Sequence, residues 1–95
     1  MYRIEYSETS RNQIRTLDPF IKPIIKRRIE ELKDNPFLGK PLERQLAGYY
    51  SYKARRFRII YKIVPHAMTL QIHYVGHRKD IYELVAELIS SGANA

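Results

Sequence analysis

Basic side chains are concentrated in the second half of the chain. No Asp or Glu occurs between Glu43 and Asp80, and the same stretch contains Arg44, Lys53, Arg55, Arg56, Arg58, Lys62, Arg78 and Lys79. Like charges repel one another, so a cluster without carboxylates is costly unless it binds anions. The pattern predicts a surface for a polyanion. The alternative is that alternating Lys and Arg residues form the solvated side of a half-covered sheet.

The segment Gly76–Tyr82 combines residue types that can transfer protons and stabilise negative charge. His77 titrates near neutral pH, Arg78 is a permanent cation and Tyr82 carries a weakly acidic hydroxyl. Together they can serve general acid–base chemistry on an anionic substrate. The alternatives are a surface histidine and an amphipathic tyrosine at the margin of the core.

The overall charge limits the kinds of partner that the chain can bind. Its net charge is +7 and its pI is about 9.8, which suits nucleic acid, an anionic membrane surface or an acidic protein. The eight tyrosines add ring faces that can stack on bases. No long basic amphipathic helix supports membrane binding.

Other kinds of site are absent from the sequence. The chain has no cysteine, which excludes disulfides and thiolate metal sites. It also lacks a His-Glu-x-x-His motif, an acidic cluster, a Gly-rich phosphate loop and a nucleophile elbow. We therefore expect no metal and no cofactor. Because the N-terminus lacks a signal-peptide pattern and no apolar run approaches the roughly 20 residues of a membrane span, we expect a cytoplasmic protein.

The periodicity predicts one domain over residues 1–95 with the element order βααβββα. A strand at residues 2–6 precedes a helix that Ser7 caps, and Asp18-Pro19 begins a second helix that ends at Asn35. Alternating residues then predict an antiparallel meander of three strands, and Asp80 caps a short last helix. This is an α+β fold with both N-terminal helices on one face of a small twisted antiparallel sheet. The covered face should contain Ile25, Ile29, Leu32, Phe57, Ile59, Tyr61 and Ile72, while the other face is basic and the first strand lies near the centre or at an edge.

Four segments resemble the RelE/ParE toxin superfamily of type II toxin–antitoxin systems. They are Pro36–Leu42, Leu46–Lys53, Arg56–Tyr61 and Val75–Tyr82, and the resemblance covers nearly the whole chain. It implies a RelE-like fold and a toxin that a cognate antitoxin binds, in a hetero-oligomer. RelE-type members cut mRNA in the ribosomal A site, whereas ParE-type members poison DNA gyrase.

The resemblance also implies which residues form the site. It points to Lys53, Arg58, Arg78, Tyr82 and His77 as catalytic residues of an endoribonuclease, and we add Arg55, Arg56, Lys79 and Tyr50 as RNA-binding residues. Ser51 stands where some relatives have another basic residue. Lys40 and its neighbours offer no carboxylate where some relatives use one as a base.

The expected reaction needs no metal, because the 2′-hydroxyl of RNA attacks the adjacent phosphate. Arg58 and Arg78 suit the developing negative charge, since a guanidinium pairs phosphate oxygens bidentately. Tyr82 can act as the base if neighbouring cations, including Lys53, lower its pKa; His77 is the alternative acid or base. The rival functions are a non-catalytic gyrase inhibitor and a non-catalytic RNA-binding module. For either toxin we expect an antitoxin with an acidic, amphipathic segment.

Overall fold

The structure, a computed structural model, describes residues 1–77 together with Ile81, Glu83, Ala86 and Ser90. Within this part the chain forms two helices and five strands, as the following bounds show: β1 Arg3–Tyr6, α1 Glu8–Arg15, α2 Lys22–Asp34, β2 Lys40–Pro41, β3 Tyr49–Ala54, β4 Phe57–Val64 and β5 Thr69–His77. The two N-terminal helices and the three-strand meander confirm the predicted α+β architecture. The predicted last helix, with its cap at Asp80, lies mostly outside the described residues.

Helix α1 begins where the sequence predicts it. The Ser7 side chain accepts a hydrogen bond from the Ser10 backbone N–H at 3.0 Å, which satisfies one of the free donors of the first turn. The buried Ser10 hydroxyl donates to the carbonyl oxygen of Ile72 at 2.9 Å. The start of the helix is therefore fastened to β5 as well as capped.

Helix α2 begins later than the sequence predicts. Asp18 was expected to cap it, and its carboxylate accepts the Phe20 backbone N–H at 2.8 Å as a capping residue does, but the regular helix starts only at Lys22. The carbonyl oxygen of Asp18 also accepts the N–H groups of Ile21 and Lys22, at 2.9 and 3.0 Å, so a separate turn precedes the regular helix. Asp18 and Pro19 therefore form the turn between the two helices, and Pro23 lies in the first turn of α2.

The sheet is mixed, which corrects the expectation that it is antiparallel throughout. The strand order is β1-β5-β4-β3-β2, and β1 pairs with β5 in parallel while every other pair is antiparallel. Short connections force β3, β4 and β5 into antiparallel pairs. No such connection joins β1 to β5, because both helices follow β1, and β1 becomes a parallel edge strand.

The face that carries the helices holds the main core, and its composition confirms the prediction. Ile25, Ile29, Leu32, Ile59, Tyr61 and Ile72 are all at most 2% exposed, and Phe57 packs partly buried against them. Ile59 and Tyr61 alternate with Arg58 and Ile60 along β4, which places Arg58 on the opposite face.

The opposite face is less uniformly basic than predicted. Ile60, Tyr74 and Ile81 form a second, smaller buried cluster there, and Leu42, Leu46 and Tyr49 pack against it. A β-bulge between Ile60 and Tyr61 inserts His73 into β5 and turns Tyr74 toward this face. The loop before β3 then covers part of the sheet, so the basic residues are confined to the uncovered remainder. No helix in the described part of the chain is long and apolar enough to cross a membrane.

Candidate active site

A cavity of about 490 Å³ opens on this second face, between the β2 segment and the ends of β3 and β4. It is lined by Lys40, Pro41, Leu42, Glu43, Ser51, Lys53 and Arg58. Lys40 pairs with Ser51 across β2 and β3, and Lys53 pairs with Arg58 across β3 and β4. Residues directly opposite in antiparallel strands project to the same face. The register therefore brings the cations Lys40, Lys53 and Arg58 around one pocket.

Arg58 is the most informative side chain of the pocket. Its Nη1 atom is buried, yet it has no hydrogen-bond partner within the described residues. A buried donor without an acceptor costs about 1–3 kcal/mol, and more when the group is charged. Among the described residues this donor is free to bind an acceptor that enters the cavity, and a guanidinium suits phosphate oxygens best.

Lys40, Lys53 and Glu43 are exposed at the rim. Among the described residues that line the pocket, Glu43 supplies a carboxylate. No described Lys or Arg nitrogen forms a salt bridge with it. In the sequence Glu43 lies in an irregular stretch between β2 and β3, and no periodicity there indicates which way it points; only the fold turns it toward Lys53 and Arg58.

Tyr61 holds the β2 wall of the pocket from the core side. Its buried hydroxyl donates to the carbonyl oxygen of Pro36 at 2.6 Å and accepts the N–H of Gly39 at 3.0 Å. Burial raises the pKa of Tyr61 to about 12, so the hydroxyl stays protonated and can donate. A side chain at Gly39 would collide with the Tyr61 ring. These contacts fix the turn directly before Lys40.

Arg55 and Arg56 form the tip of the β3–β4 hairpin, immediately beyond the paired Lys53 and Arg58. Both are exposed, and Arg55 adopts a positive φ of 60° that a two-residue hairpin turn requires. The two cations therefore continue the positive surface outward from the pocket.

Two of the predicted site residues lie on the other face. Tyr50 stacks on Tyr61 with a centroid distance of 5.4 Å, and it contacts the edge of the main core. His77 pairs with Phe57 and its ring lies 5.5 Å from the phenyl ring. The reason is strand alternation: Tyr50 and His77 occupy positions of the opposite parity to Ser51 and Gly76. The structure does not bring them to the cavity.

Three further predicted residues, Arg78, Lys79 and Tyr82, lie outside the described residues. Strand β5 ends at His77, directly after Gly76, which pairs with Arg58.

A separate aromatic and basic group lies farther along the same face. The Lys62 ammonium lies 4.5 Å from the centre of the Tyr49 ring, and the His73 ring contacts Tyr49 edge-on. Burial, and then the charge of Lys62, lower the pKa of His73 below its usual 6.5. The imidazole is therefore neutral at pH 7, and it packs as an uncharged ring. In the described residues no group of three or more His, Asp or Glu side chains comes together to hold a metal.

Known proteins resemble this chain in sequence and in fold. Residues 4–82 match the ParE toxin family of the parDE type II toxin–antitoxin system. Toxin RelG of Mycobacterium tuberculosis is 32% identical over 83 residues, which span 85% of this chain and 95% of RelG.

Solved structures agree with these matches. The toxin–antitoxin complex RelBE2 from Mycobacterium tuberculosis contains a chain with a TM-score of 0.74 at 32% identity, covering 81% of this chain and 98% of that one. The isolated E. coli RelE toxin shares the fold with a TM-score of 0.72 at 19% identity, over 94% of this chain and 99% of its own. The chain belongs to the RelE/ParE toxin superfamily of type II toxin–antitoxin systems.

Proposed function

We propose that this toxin is an endoribonuclease that cleaves mRNA in the ribosomal A site. The observation that carries the proposal is the basic cavity, in which a buried Arg58 nitrogen lacks an acceptor among the described residues. The similarity to toxin RelG supports the RelE-type branch. The cytoplasm, where mRNA is translated, is the location that this function requires.

The proposed reaction moves one phosphate between two oxygens of the RNA. A base removes the proton of the 2′-hydroxyl, and the 2′-oxygen forms a bond to the adjacent phosphorus. The bond from phosphorus to the 5′-oxygen of the next nucleotide breaks, and an acid protonates that oxygen. The products are a 2′,3′-cyclic phosphate and a 5′-hydroxyl, and no metal takes part in these steps.

The negative charge that develops on the phosphorane is stabilised by fixed cations. Arg58 and Lys53 line the described cavity, and we assign Arg78 to the same role from the family resemblance. Preorganised donors of this kind act more strongly in a site that excludes water. Arg55, Arg56 and Lys79 are assigned to the RNA backbone on either side.

The proton transfers have two candidates. Tyr82 is assigned as base or acid from the resemblance, with Lys53 lowering its pKa. Glu43 is the second candidate for the base because it lines the same cavity. His77 and Tyr50 are left without a role in the reaction, since their rings lie on the helix-bearing face.

The partner that we propose is a cognate antitoxin, with which the toxin forms a hetero-oligomer. The similar structures include RelBE complexes from Mycobacterium tuberculosis and E. coli and a RelE–RelB complex from Pyrococcus horikoshii. The net charge of +7 favours an acidic antitoxin segment.

A cell-free translation assay tests the function. Purified toxin should shorten a reporter mRNA when ribosomes are present and leave it intact when they are absent, and the new ends should carry a cyclic phosphate and a 5′-hydroxyl. Binding of mRNA without new ends would contradict the nuclease and indicate a non-catalytic RNA-binding module.

The second candidate function is inhibition of DNA gyrase, and the match to the ParE toxin family favours it. The same purified toxin, incubated with gyrase and supercoiled plasmid, should then accumulate cleaved DNA–gyrase complexes. Accumulation of these complexes together with intact mRNA would replace the first proposal by this one.

A further inference from the structure

Strand β5 extends well beyond the strand that pairs with it on one side. Strand β1 covers β5 only from Thr69 to Ile72, and β5 continues to His77. After Tyr6 the chain turns into helix α1, which begins at Glu8. The backbone of β5 beyond Ile72 therefore needs hydrogen-bond partners other than β1 on that side.

Side chains at the start of α1 supply these partners. The Ser7 hydroxyl donates to the carbonyl oxygen of His73 at 3.0 Å. The side-chain oxygen of Gln13, a partly buried residue in the second turn of α1, accepts the N–H of Val75 at 2.7 Å. The helix thus takes over the hydrogen bonding of β5 where β1 has ended.

The hydrogen bond from Gln13 lies directly after the irregularity in β5. The β-bulge leaves His73 outside the regular register, and the pairing with β4 then resumes, with Val75 opposite Ile59. A bulge interrupts the hydrogen-bond ladder and bends the strand, so the residues before it do not by themselves fix those after it. Gln13 therefore holds the segment of β5 whose register has to be set anew.

This segment of β5 adjoins the basic cavity. Gly76 follows Val75 and pairs with Arg58, which lines the cavity. A side chain at Gly76 would collide with the ring of Tyr74, so that ring lies directly against the strand backbone. A shift of Gly76 would therefore disturb both the Tyr74 ring and the strand pair that carries Arg58.

We propose that Gln13 is a positioning residue of the nuclease site, an inference that rests on the proposed function. By accepting the Val75 N–H it fixes the end of β5 against β4 and keeps Gly76 opposite Arg58. The same strand end leads in the sequence to Arg78, two residues after Gly76. Gln13 is not among the described residues that line the cavity, so it acts through the backbone of β5.

The role requires an acceptor atom of the right reach at position 13, and two substitutions separate acceptor from size. Gln13→Met keeps the length of the side chain but replaces the amide by a thioether, which is a weak acceptor. Gln13→Glu keeps an acceptor oxygen at the same reach. Because a misplacement of about 1 Å can cost about 10²-fold in rate, loss of this hydrogen bond should slow the reaction rather than weaken binding.

Amide hydrogen exchange tests the hydrogen bond itself and does not depend on the activity of the toxin. In Gln13→Met, exchange at the Val75 N–H should be at least about tenfold faster than in the wild type. The Arg3 N–H, which bonds the Met68 carbonyl oxygen at the other end of β5, is the internal control and should change little. Unchanged exchange at Val75 would overturn the proposal.

Single-turnover cleavage of ribosome-bound mRNA tests the consequence for the reaction. Gln13→Met should lower the cleavage rate about 10–100-fold, while the ribosome concentration that gives half of the maximal rate should change less than about twofold. Gln13→Glu should cleave within about threefold of the wild-type rate, because it keeps the acceptor. A wild-type rate in Gln13→Met, or equal losses in both variants, would contradict the proposal. If Gln13→Met does not fold, Gln13→Asn, which keeps the amide but shortens its reach, takes its place.

Ser10→Ala is the matched control for a purely structural role. The Ser10 hydroxyl also joins α1 to β5, at the Ile72 carbonyl oxygen before the bulge. Both Ser10→Ala and Gln13→Met should lower the Tm by about 4–8 °C, but Ser10→Ala should cleave within about twofold of the wild-type rate. Equal cleavage rates at an equal loss of Tm would leave Gln13 a structural role alone and would overturn the proposal. A wild type that cleaves no mRNA would instead reject the proposed function, and exchange at Val75 would still show whether Gln13 holds β5.

Discussion

At the scale of single residues, Arg58 combines a structural cost with a proposed catalytic use. Its buried Nη1 atom has no acceptor among the described residues. Groups that are poorly satisfied in the free protein and well satisfied with ligand are typical of functional sites, which trade stability for activity.

We predict opposite effects of Arg58→Ala on activity and stability. Ribosome-dependent mRNA cleavage should fall about 10²–10³-fold, because a preorganised cation is lost. The free energy of unfolding should stay the same or rise by up to about 1 kcal/mol, since a buried donor without an acceptor is removed. Single-turnover cleavage and urea denaturation measure the two quantities. The control is Arg27→Ala, on the helix-bearing side, which should change neither the cleavage rate nor the free energy of unfolding by a comparable amount. A strongly destabilised Arg58→Ala protein would show instead that the Arg58 side chain supports the fold.

The pair Arg78 and Tyr82 provides the second residue-scale prediction. Arg78→Ala should reduce cleavage about 10²–10³-fold through lost charge stabilisation, and Tyr82→Phe about 10²–10⁴-fold if its hydroxyl transfers a proton. Toxicity in cells, measured beside the Tm, checks both. A folded Tyr82→Phe protein with full toxicity would remove Tyr82 from the reaction, and Glu43→Gln would then be the variant to measure. A folded double variant that remains fully toxic would favour gyrase as the target.

His73 gives a pH-dependent prediction. Burial and the nearby Lys62 lower the pKa of His73 below 6.5 in the folded protein, so the unfolded chain binds a proton more readily than the folded one. The contribution of neutral His73 to the free energy of unfolding is therefore fully present above pH 6.5, and it decreases as the pH falls below that value. Between about pH 7 and 5 the Tm of the wild type should fall more steeply than that of His73→Gln. Parallel curves would show that His73 does not contribute to the acid sensitivity.

At the scale of elements, the position of the short strand β2 depends on one hydroxyl group. Tyr61 bonds both Pro36 and Gly39 from the core side of β4, and β2 follows directly with Lys40. A strand of two residues forms few backbone hydrogen bonds of its own. The two hydrogen bonds of the Tyr61 hydroxyl therefore hold β2 in place where a longer strand would be held by its own backbone pairing.

We predict that Tyr61→Phe lowers the free energy of unfolding by about 1–3 kcal/mol, because it leaves the Pro36 carbonyl and the Gly39 N–H without a partner. It should also weaken RNA binding by loosening the wall that carries Lys40. The check is a double-mutant cycle with Lys40→Ala, with affinity for a short RNA as the measured quantity. If Tyr61 acts through Lys40, its effect on affinity should largely disappear in the Lys40→Ala background; additive effects would mean that the two residues act independently.

At the scale of the whole molecule, the fold separates two kinds of surface. The β2 edge carries the cavity with its cations, and a groove lined by apolar and charged side chains runs beside the β1 edge. The two helices cover one face of the sheet, in the region between these two edges.

The net charge of +7 leads to a prediction about salt. If Lys40, Lys53, Arg55, Arg56 and Arg58 each contact a phosphate, the logarithm of the RNA affinity should fall with the logarithm of salt concentration with a slope of about −0.7 per contact. Arg56→Ala should remove one contact and so make the slope shallower by about 0.7. It should not change the chemistry at the cleaved bond. A slope near zero would contradict an electrostatic RNA interface.

Local sequence signals determined much of this protein. The Ser7 cap, the helical spacing of Ile25, Ile29 and Leu32, and the alternation of Ile59 and Tyr61 depend on neighbouring residues and one buried face, and the structure confirms them. The pairing of Lys53 with Arg58 in the structure is also a local contact, since a two-residue turn sets the register of a hairpin. The family, too, could be recognised from short segments.

Contacts between distant segments were decided by the tertiary structure. Whether β1 lies parallel to β5, whether Glu43 turns toward Arg58, and which face carries Tyr50 and His77 depend on strand pairings and a β-bulge that join residues far apart in the chain. A bulge or a slip of one residue reverses the face of every side chain beyond it, and an irregular loop has no periodicity that reports its direction. Composition and spacing therefore identified the basic and aromatic residues of this toxin, whereas packing determined which of them meet.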